Sequence, residues 1–403
     1  MRDLLRDMTS VVLEARAADL LERLIGYRSV NPPGNEAEIA EFIAGMLRSW
    51  GLSVELTEVE PNRPNVVGVL EMATPGPTLL LNSHMDVVPE GEGWQTDPFT
   101  AVEREGVIYG RGAVDAKGPL ATMLAAVEVL AQFREFLTGR VVMAAVADEE
   151  AGSRGTRKLV RDVKADMAIV GEPTEGRICV AHKGTCRATL SVRGKSAHAA
   201  EPDSGINAIE GAARLIEALG EYHRKLREKV HPLLGSPTAV VTTINGGTKG
   251  NMVPDRCKMT LSRRMIPGES EEMVARELRE IFDRLKRSDT SFEARIENFA
   301  QTSGGPSETP GDHPFVQRAC QAIGRLLHSQ VSLYGFTPNC DMAQLRGVAG
   351  IPTIILGPGE TKVSHQANEH VERPQLRLVG QMYVAIACEM LRRPGSVATA
   401  SRG

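Results

Sequence analysis

Arg140-Val-Val-Met-Ala-Ala-Val-Ala147, followed at once by Asp148-Glu149-Glu150, sets the fold class. Apolar residues fill every position from 141 to 147 without alternation, the pattern of a strand buried on both faces of its sheet. Upstream lie a helical stretch from about Pro119 to Phe133 and short β-rich runs at Ser53 to Thr57, Asn65 to Glu71 and Thr78 to Asn82. Residues 36 to 50 place Ile39, Phe42, Ile43, Met46, Leu47 and Trp50 on one helical face, and Gly51 stops that helix. Downstream, Asp166 to Val170 reads as another buried strand. Strands alternating with helices predict an α/β domain with helices on both faces of its sheet.

After Lys183 the pattern changes. Arg187 to Arg193 alternates like a half-exposed strand, then come a helix (about Gly205 to Lys225), strands at Ala239 to Ile244 and Lys258 to Met265, a charged helix (about Glu271 to Arg287) and a strand at Phe292 to Glu297. This β-α-β-β-α-β order predicts an α+β module of ferredoxin-like kind. The turn-rich Thr302 to Gly311 follows, and α/β texture resumes with a helix near Pro314 to His328, a strand at Pro352 to Leu356 and a helix from Pro374 to about Arg392. The expected organisation is an α/β domain over 1–182 and 300–403 interrupted by an insertion at 183–299, consistent with a length of 403 residues.

Composition narrows function. With 42% hydrophobic and 24% charged residues the chain is ordinary globular material, which sets aside collagen-like and disordered readings. A net charge of −4 argues against an electrostatic grip on nucleic acid or on an anionic membrane, since both need clustered Lys and Arg. The six cysteines form no CxxC pair and are too sparse for a disulfide scaffold, so a reducing compartment is expected. The first 26 residues interrupt every apolar run with charge, reading as an amphipathic helix rather than a signal peptide; no stretch approaches the ~20 apolar residues of a membrane span. A cytoplasmic protein is expected. The 39 glycines exceed the roughly 7% of an average protein and predict many tight turns.

Five polar clusters sit at or near the ends of these elements, where open α/β sheets bind ligands. In Leu79-Leu-Leu-Asn-Ser-His84-Met-Asp86-Val-Val-Pro89, His84 is a candidate metal ligand whose other ring N–H the Asp86 carboxylate could accept; a His–Asp pair in a surface loop reads the same. Tyr109-Gly-Arg-Gly-Ala-Val-Asp115-Ala-Lys-Gly118 fails the dinucleotide GxGxxG, and Asp115 is either a ligand or a helix N-cap. Asp148-Glu149-Glu150 puts three like charges at a core edge, which a cation would compensate and a solvated turn would also accommodate. Glu172 ends an apolar strand in Ile169-Val-Gly-Glu172-Pro-Thr174, and His365 lies in Val363-Ser-His365-Gln-Ala-Asn-Glu369-His370. Two His with Asp and Glu at several strand ends resemble a two-metal site. Neither HExxH nor GxSxG occurs, which excludes the helix-borne zinc site and disfavours a serine hydrolase.

In this order, HxDxVP, GRGAxDxKG, DEExG, GEPT and HQxNE resemble the dizinc M20-type metallopeptidase/aminoacylase family, which includes acetylornithine deacetylase, succinyl-diaminopimelate desuccinylase and glutamate carboxypeptidase. The resemblance covers nearly the whole chain; Ala116, where many relatives carry Met, is a departure at a non-ligand position. It implies a zinc-peptidase-like catalytic domain on a mixed sheet, interrupted by a ferredoxin-like dimerisation domain. It implies two Zn²⁺, with Co²⁺ or Mn²⁺ as alternatives that mixed nitrogen and oxygen donors also accept. His84 and Glu172 would hold one ion, Glu150 and His365 the other, and Asp115 would bridge them, while Asp86 orients His84. Glu149 would be the general base that deprotonates the bridging water and passes the proton to the leaving amine.

In the insertion, His198 within Gly194 to Pro202 resembles the residue that reaches into the partner subunit's site to stabilise the oxyanion. Asn251, within Gly246 to Pro254, and Arg264, heading Arg264 to Gly268, match segments that bind the substrate carboxylate. Thr337 to Asp341 and Gly304-Gly305 are pocket candidates by position. The implied protein is a homodimeric amidohydrolase that cleaves a small N-acyl amino acid, with a carboxypeptidase or dipeptidase as the alternative substrate reading. A catalytically silent metal-binding scaffold is the alternative of another class, against which Glu149 speaks, because a scaffold needs no base.

Overall fold

The computed structural model describes residues 2–392. They divide into two compact units, one of residues 2–181, 308–336 and 340–392, the other of 182–307 and 337–339. Residues 300–307 and 337–339 thus cluster with the second unit rather than with the closing segment expected from 300 onward.

In the first unit a large mixed sheet runs in the order Ser53–Glu60, Arg63–Glu71, Thr138–Val146, Thr74–His84, Met167–Val170, Thr353–Ile355, Ile178–His182. Its central four strands, Thr138–Val146, Thr74–His84, Met167–Val170 and Thr353–Ile355, are mutually parallel. Their register sets His84 opposite Val146, Asn82 opposite Val170, and Ile355 opposite Val170, so all four carboxyl ends share one edge. Both faces are covered, as the unbroken apolar run predicts. Leu80, Val142, Ala144 and Val170 pack with Leu159 and Leu345 on one face, while Leu79, Val141, Met143 and Ile169, pointing the other way, are equally buried. The helices Arg2–Ile25, Lys117–Gln132 and Arg373–Met390 pack on one another, and Lys117–Gln132 lies along Thr74–His84.

Not anticipated were the strands Ile178–His182 and Leu333–Phe336, the helix Arg154–Asp162, the π-helix Ala343–Val348, and a small antiparallel sheet of His370–Glu372, Val107–Tyr109 and Val102–Arg104. Strands of three residues carry too few positions for a period-2 signal.

The second unit is an antiparallel sheet in the order Thr238–Gly246, Arg256–Met265, Gly184–Arg193, Glu293–Ala300, with helices Ala208–Leu226 and Glu271–Ser288. Each helix starts at a side-chain cap: Asn207 accepts from the Ile209 and Glu210 N–H groups, and Ser270 from that of Met273. Leu190, Leu215, Leu261, Leu278 and Phe282 belong to its core. Among the described residues no helix is long and apolar enough to cross a membrane.

Candidate active site

The shared edge of the parallel strands carries His84 and, just past the strand ends, Glu149, Glu150 and Glu172, while Asp115 and His365 meet them from loops. His84, closing its strand, is 1% exposed, and its Nδ1 lies 2.9 Å from the carbonyl oxygen of Asp86 but 3.6 Å from that residue's carboxylate. Asp86 therefore orients the ring through its main chain, where its carboxylate was the expected partner. With Nδ1–H donating to that carbonyl, Nε2 is turned to Asp115 Oδ1 at 3.3 Å and Glu172 Oε1 at 4.0 Å. On the other side His365 Nε2 lies 3.2 Å from Asp115 Oδ2 and 3.1 Å from Glu150 Oε1. Asp115 thus turns one oxygen to each histidine. His84, Asp115 and Glu172 form one donor cluster, and Asp115, Glu150 and His365 a second; within each, the donor atoms lie within 4.8 Å of one another.

The freed carboxylate of Asp86 has another task. Its Oδ1 accepts the Glu149 N–H at 3.1 Å, and its Oδ2 the Glu150 N–H at 3.1 Å and Asn31 Nδ2 at 2.8 Å. It pins the turn that carries the base and one ligand. The turn itself is not solvated: Asp148 is 1% and Glu149 7% exposed. Asp148 has a left-handed backbone (φ 66°) and points away from the clusters, receiving Asn31 Nδ2 at 3.0 Å, Arg154 Nε at 2.6 Å and Arg63 Nη1 at 3.0 Å. Arg63 is in turn paired with the fully buried Glu36 at 2.6 Å. One acid of the three is neutralised by arginines, and the backbone turn that this stabilises presents the other two to the site.

Asp115 is not a helix cap, since the residue before Lys117–Gln132 is Ala116, which makes no side-chain capping bond. Its loop needs Gly112, whose φ is 87° and where a Cβ would press to 2.9 Å on Val87 and Lys117. Asp341 is buried, accepting from Asn82 Nδ2 at 3.0 Å.

Electrostatics follow the crowding. Burial pushes Glu149 and Glu172 well above the usual carboxylate range; burial and Asp115 push Glu150 up to about 7. Burial would lower His84, but the neighbouring carboxylates of Asp115, Asp86 and Glu172 hold it well above its ordinary value. His365 is pushed up to about 11, first by Asp115 and then by Glu150. Asp115 is held low by the two imidazoles against its burial. Four carboxylates thus share two histidines, an excess of negative charge in a dry region that divalent cations suit. A mixed nitrogen and oxygen donor set fits Zn²⁺.

Sequence reasoning missed Asn31, Arg63, Arg154, Arg111 and Glu369, none of which lies at the carboxyl end of a strand. Arg111 and Glu369 stood inside two of the quoted motifs, and that was their only signal.

His198, Asn251 and Arg264 belong to the second unit. His198 is exposed, and its Nδ1 accepts the Ala200 N–H at 3.1 Å, which leaves Nε2–H as an outward donor. Asn251, also exposed, accepts at its carbonyl from the Ala199 N–H at 3.0 Å. Arg264 donates to Thr185 Oγ1 at 2.6 Å. Burial and neighbouring Arg187 lower its pKa.

The sequence model of peptidase family M20/M25/M40 matches residues 80–389. The chain is 30% identical over 397 residues to an N-formyl-4-amino-5-aminomethyl-2-methylpyrimidine deformylase of Bacillus subtilis (89% of this chain, 90% of the relative). It is 34% identical over 343 residues to an acetylornithine deacetylase of Myxococcus xanthus (83% and 87%). Among solved structures it resembles aminopeptidase PepT from Bacillus cereus, with TM-score 0.77 and 24% identity over 94% of this chain and 98% of that one. It also resembles the Bacillus subtilis YXEP protein, described as a dinuclear metal binding peptidase from M20 family, with TM-score 0.73 and 18% identity over 94% and 98%. Because the family match takes in well over half the sequence and relatives at 30% identity or more align along most of it, the chain belongs to peptidase family M20/M25/M40 and is a hydrolase of amide bonds.

Proposed function

We propose that this chain removes the acyl group from a small N-acyl amino acid, using two divalent cations, zinc in the first instance, held by the two clusters that share Asp115. The observation that carries the reading is the division of Asp115, one oxygen toward His84 and the other toward His365. His84 and Glu172 would hold one ion, Glu150 and His365 the other. Bound ions of this kind polarise a scissile carbonyl and make a water acidic enough to attack near neutral pH. Glu149 takes the proton from that water on its carboxylate and delivers it to the departing nitrogen; its burial makes it a stronger base than an exposed glutamate. Two such ions would also cancel the formal charge of −4.

The preference for an acyl group rests on relatives named for deformylation and deacetylation. Arg264, with no carboxylate partner among the described residues, and Asn251 bind the substrate carboxylate in this reading. His198 offers Nε2–H to the developing oxyanion. It does so in the partner's site, across a homodimer formed through the second unit, whose edge strand Thr238–Gly246 exposes Val240 and Ile244. The six cysteines are free thiols, in keeping with a cytoplasmic location.

A hydrolysis panel of N-acetyl, N-formyl and N-succinyl amino acids and dipeptides on the metal-loaded enzyme tests the substrate class. Turnover of an acylated amino acid above any dipeptide is expected; dipeptides alone being cleaved would replace this reading with a peptidase. Mixing inactive Glu149→Ala and His198→Ala chains tests the dimer, with recovered activity expected and none rejecting the role in trans.

A further inference from the structure

Arg111 and Glu369 form an ion pair at 2.6 Å with side chains 1% and 0% exposed. Burying two charges costs more than their attraction returns unless many further hydrogen bonds are made, so a pair this deep calls for a reason beyond stability. Its further bonds lead to the loops that bear Asp115 and His365 and to the one that follows Asp86. Glu369 Oε1 accepts the N–H groups of Val114 at 2.9 Å and of Asp115 itself at 3.0 Å. Arg111 Nη1 donates to the Gln366 carbonyl at 3.3 Å, one residue from His365, and Nη2 to the Pro89 and Glu90 carbonyls at 3.2 and 2.9 Å, just beyond Asp86. The Gly110 N–H donates to the Glu369 carbonyl at 3.0 Å, where the small sheet pairs Tyr109 with His370.

We infer that the Arg111–Glu369 pair is a positioning device that sets Asp115 and His365 against each other and so builds the cluster of Asp115, Glu150 and His365. No strand end places either residue. His365 sits at φ 62° in a loop and Asp115 in another, and this pair is the buried link between them. The cluster of His84, Asp115 and Glu172 depends on the pair less, because His84 closes one parallel strand and Glu172 lies just past the end of another. Loss of the pair therefore acts unequally on the two clusters.

The inference rests on the two-ion reading above, and a cobalt(II) titration of the full chain, followed by visible absorption, separates the two. The unsubstituted chain is expected to bind two equivalents. In Glu369→Ala the first is expected to bind unchanged and the second to weaken by about 10 to 100-fold, with its absorption band altered and kcat falling at constant KM. Glu369→Gln, which keeps an oxygen for the two N–H groups, is expected to lose less than Glu369→Ala, and Arg111→Lys, which cannot span the three loops, to weaken the second equivalent as well. Two equivalents of unchanged affinity in Glu369→Ala, or in both Glu369→Gln and Arg111→Lys should the alanine variant not fold, overturn the inference alone. Fewer than two equivalents in the unsubstituted chain overturn it together with the two-ion reading.

Discussion

The two halves of the candidate site are built differently. His84, Glu149, Glu150 and Glu172 follow directly from parallel strands whose register is locked by a two-sided apolar core, and the side chain of His84 is 1% exposed. Asp115 and His365 ride on loops, and the side chain of His365 is 51% exposed. Where a strand supplies the residue, hydrogen-bond registration sets its starting point, and for Glu149 and Glu150 the Asp86 carboxylate then pins the short turn that follows. Where a loop supplies it, the buried polar contacts of Glu369 and Arg111 must do the positioning, helped by an exposed one in which Asn368 accepts the Gln95 N–H at 2.9 Å. The first half should be rigid and tightly binding, the second adjustable and more easily emptied.

The largest expected effect falls on the strand-borne half. Glu149→Gln keeps the shape and removes the base, so kcat should drop by about two to four orders of magnitude while both metal equivalents stay bound. An undiminished kcat would remove Glu149 from the chemistry. On the loop-borne half, His365→Ala should leave one tightly held equivalent, readable by metal analysis after gel filtration; loss of both would show that the halves are not separable. Arg63→Ala attacks the scaffold under the Asp148 turn. Glu36 and Asp148 would be left buried without that partner, and urea unfolding should show a loss of about 3 to 5 kcal/mol.

A control on pH comes from His182, which belongs to neither donor cluster. Burial pushes it down to about 4, with its Nδ1 facing the Lys183 carbonyl and its Nε2 the Ser307 hydroxyl. The unfolded chain takes up this proton near pH 6.5 and the folded chain only near 4, so stability should fall as pH drops across that window and level off below it. The loss amounts to about 3 kcal/mol, which His182→Asn should abolish in denaturant melts at pH 7 and 4.5. Smallest of all is a kinetic difference: a chelator should strip the two ions in two phases, the one beside exposed His365 first. A single phase would contradict the contrast between the halves.

Much of this was legible in the chain. The unbroken run 141 to 147 marked a strand covered on both faces, and the acids after it marked the edge where chemistry collects. The helix at Ala37–Ser49 and the β-α-β-β-α-β order of the second unit followed from periodicity, because amphipathic spacing is a local property. The partners of Asp148 were not legible. Asn31, Arg63 and Arg154 reach it from separate segments, and no pattern in any one segment encodes the meeting. The second task of Asp86 was not legible for the same reason, since its carboxylate accepts from main-chain N–H groups more than 60 positions away.

The residue types, their order and the strand ends they follow were determined by sequence alone, because burial and periodicity act over a few neighbouring residues. Only the tertiary structure decided that Asp115 stands between two histidines and that a buried arginine and glutamate hold the second cluster's loops together. The placements of His365 against Asp115 and of Arg111 against Glu369 depend on distances between segments more than 200 residues apart in the chain, and such distances are fixed when the sheet closes its register and the small sheet pairs Tyr109 with His370.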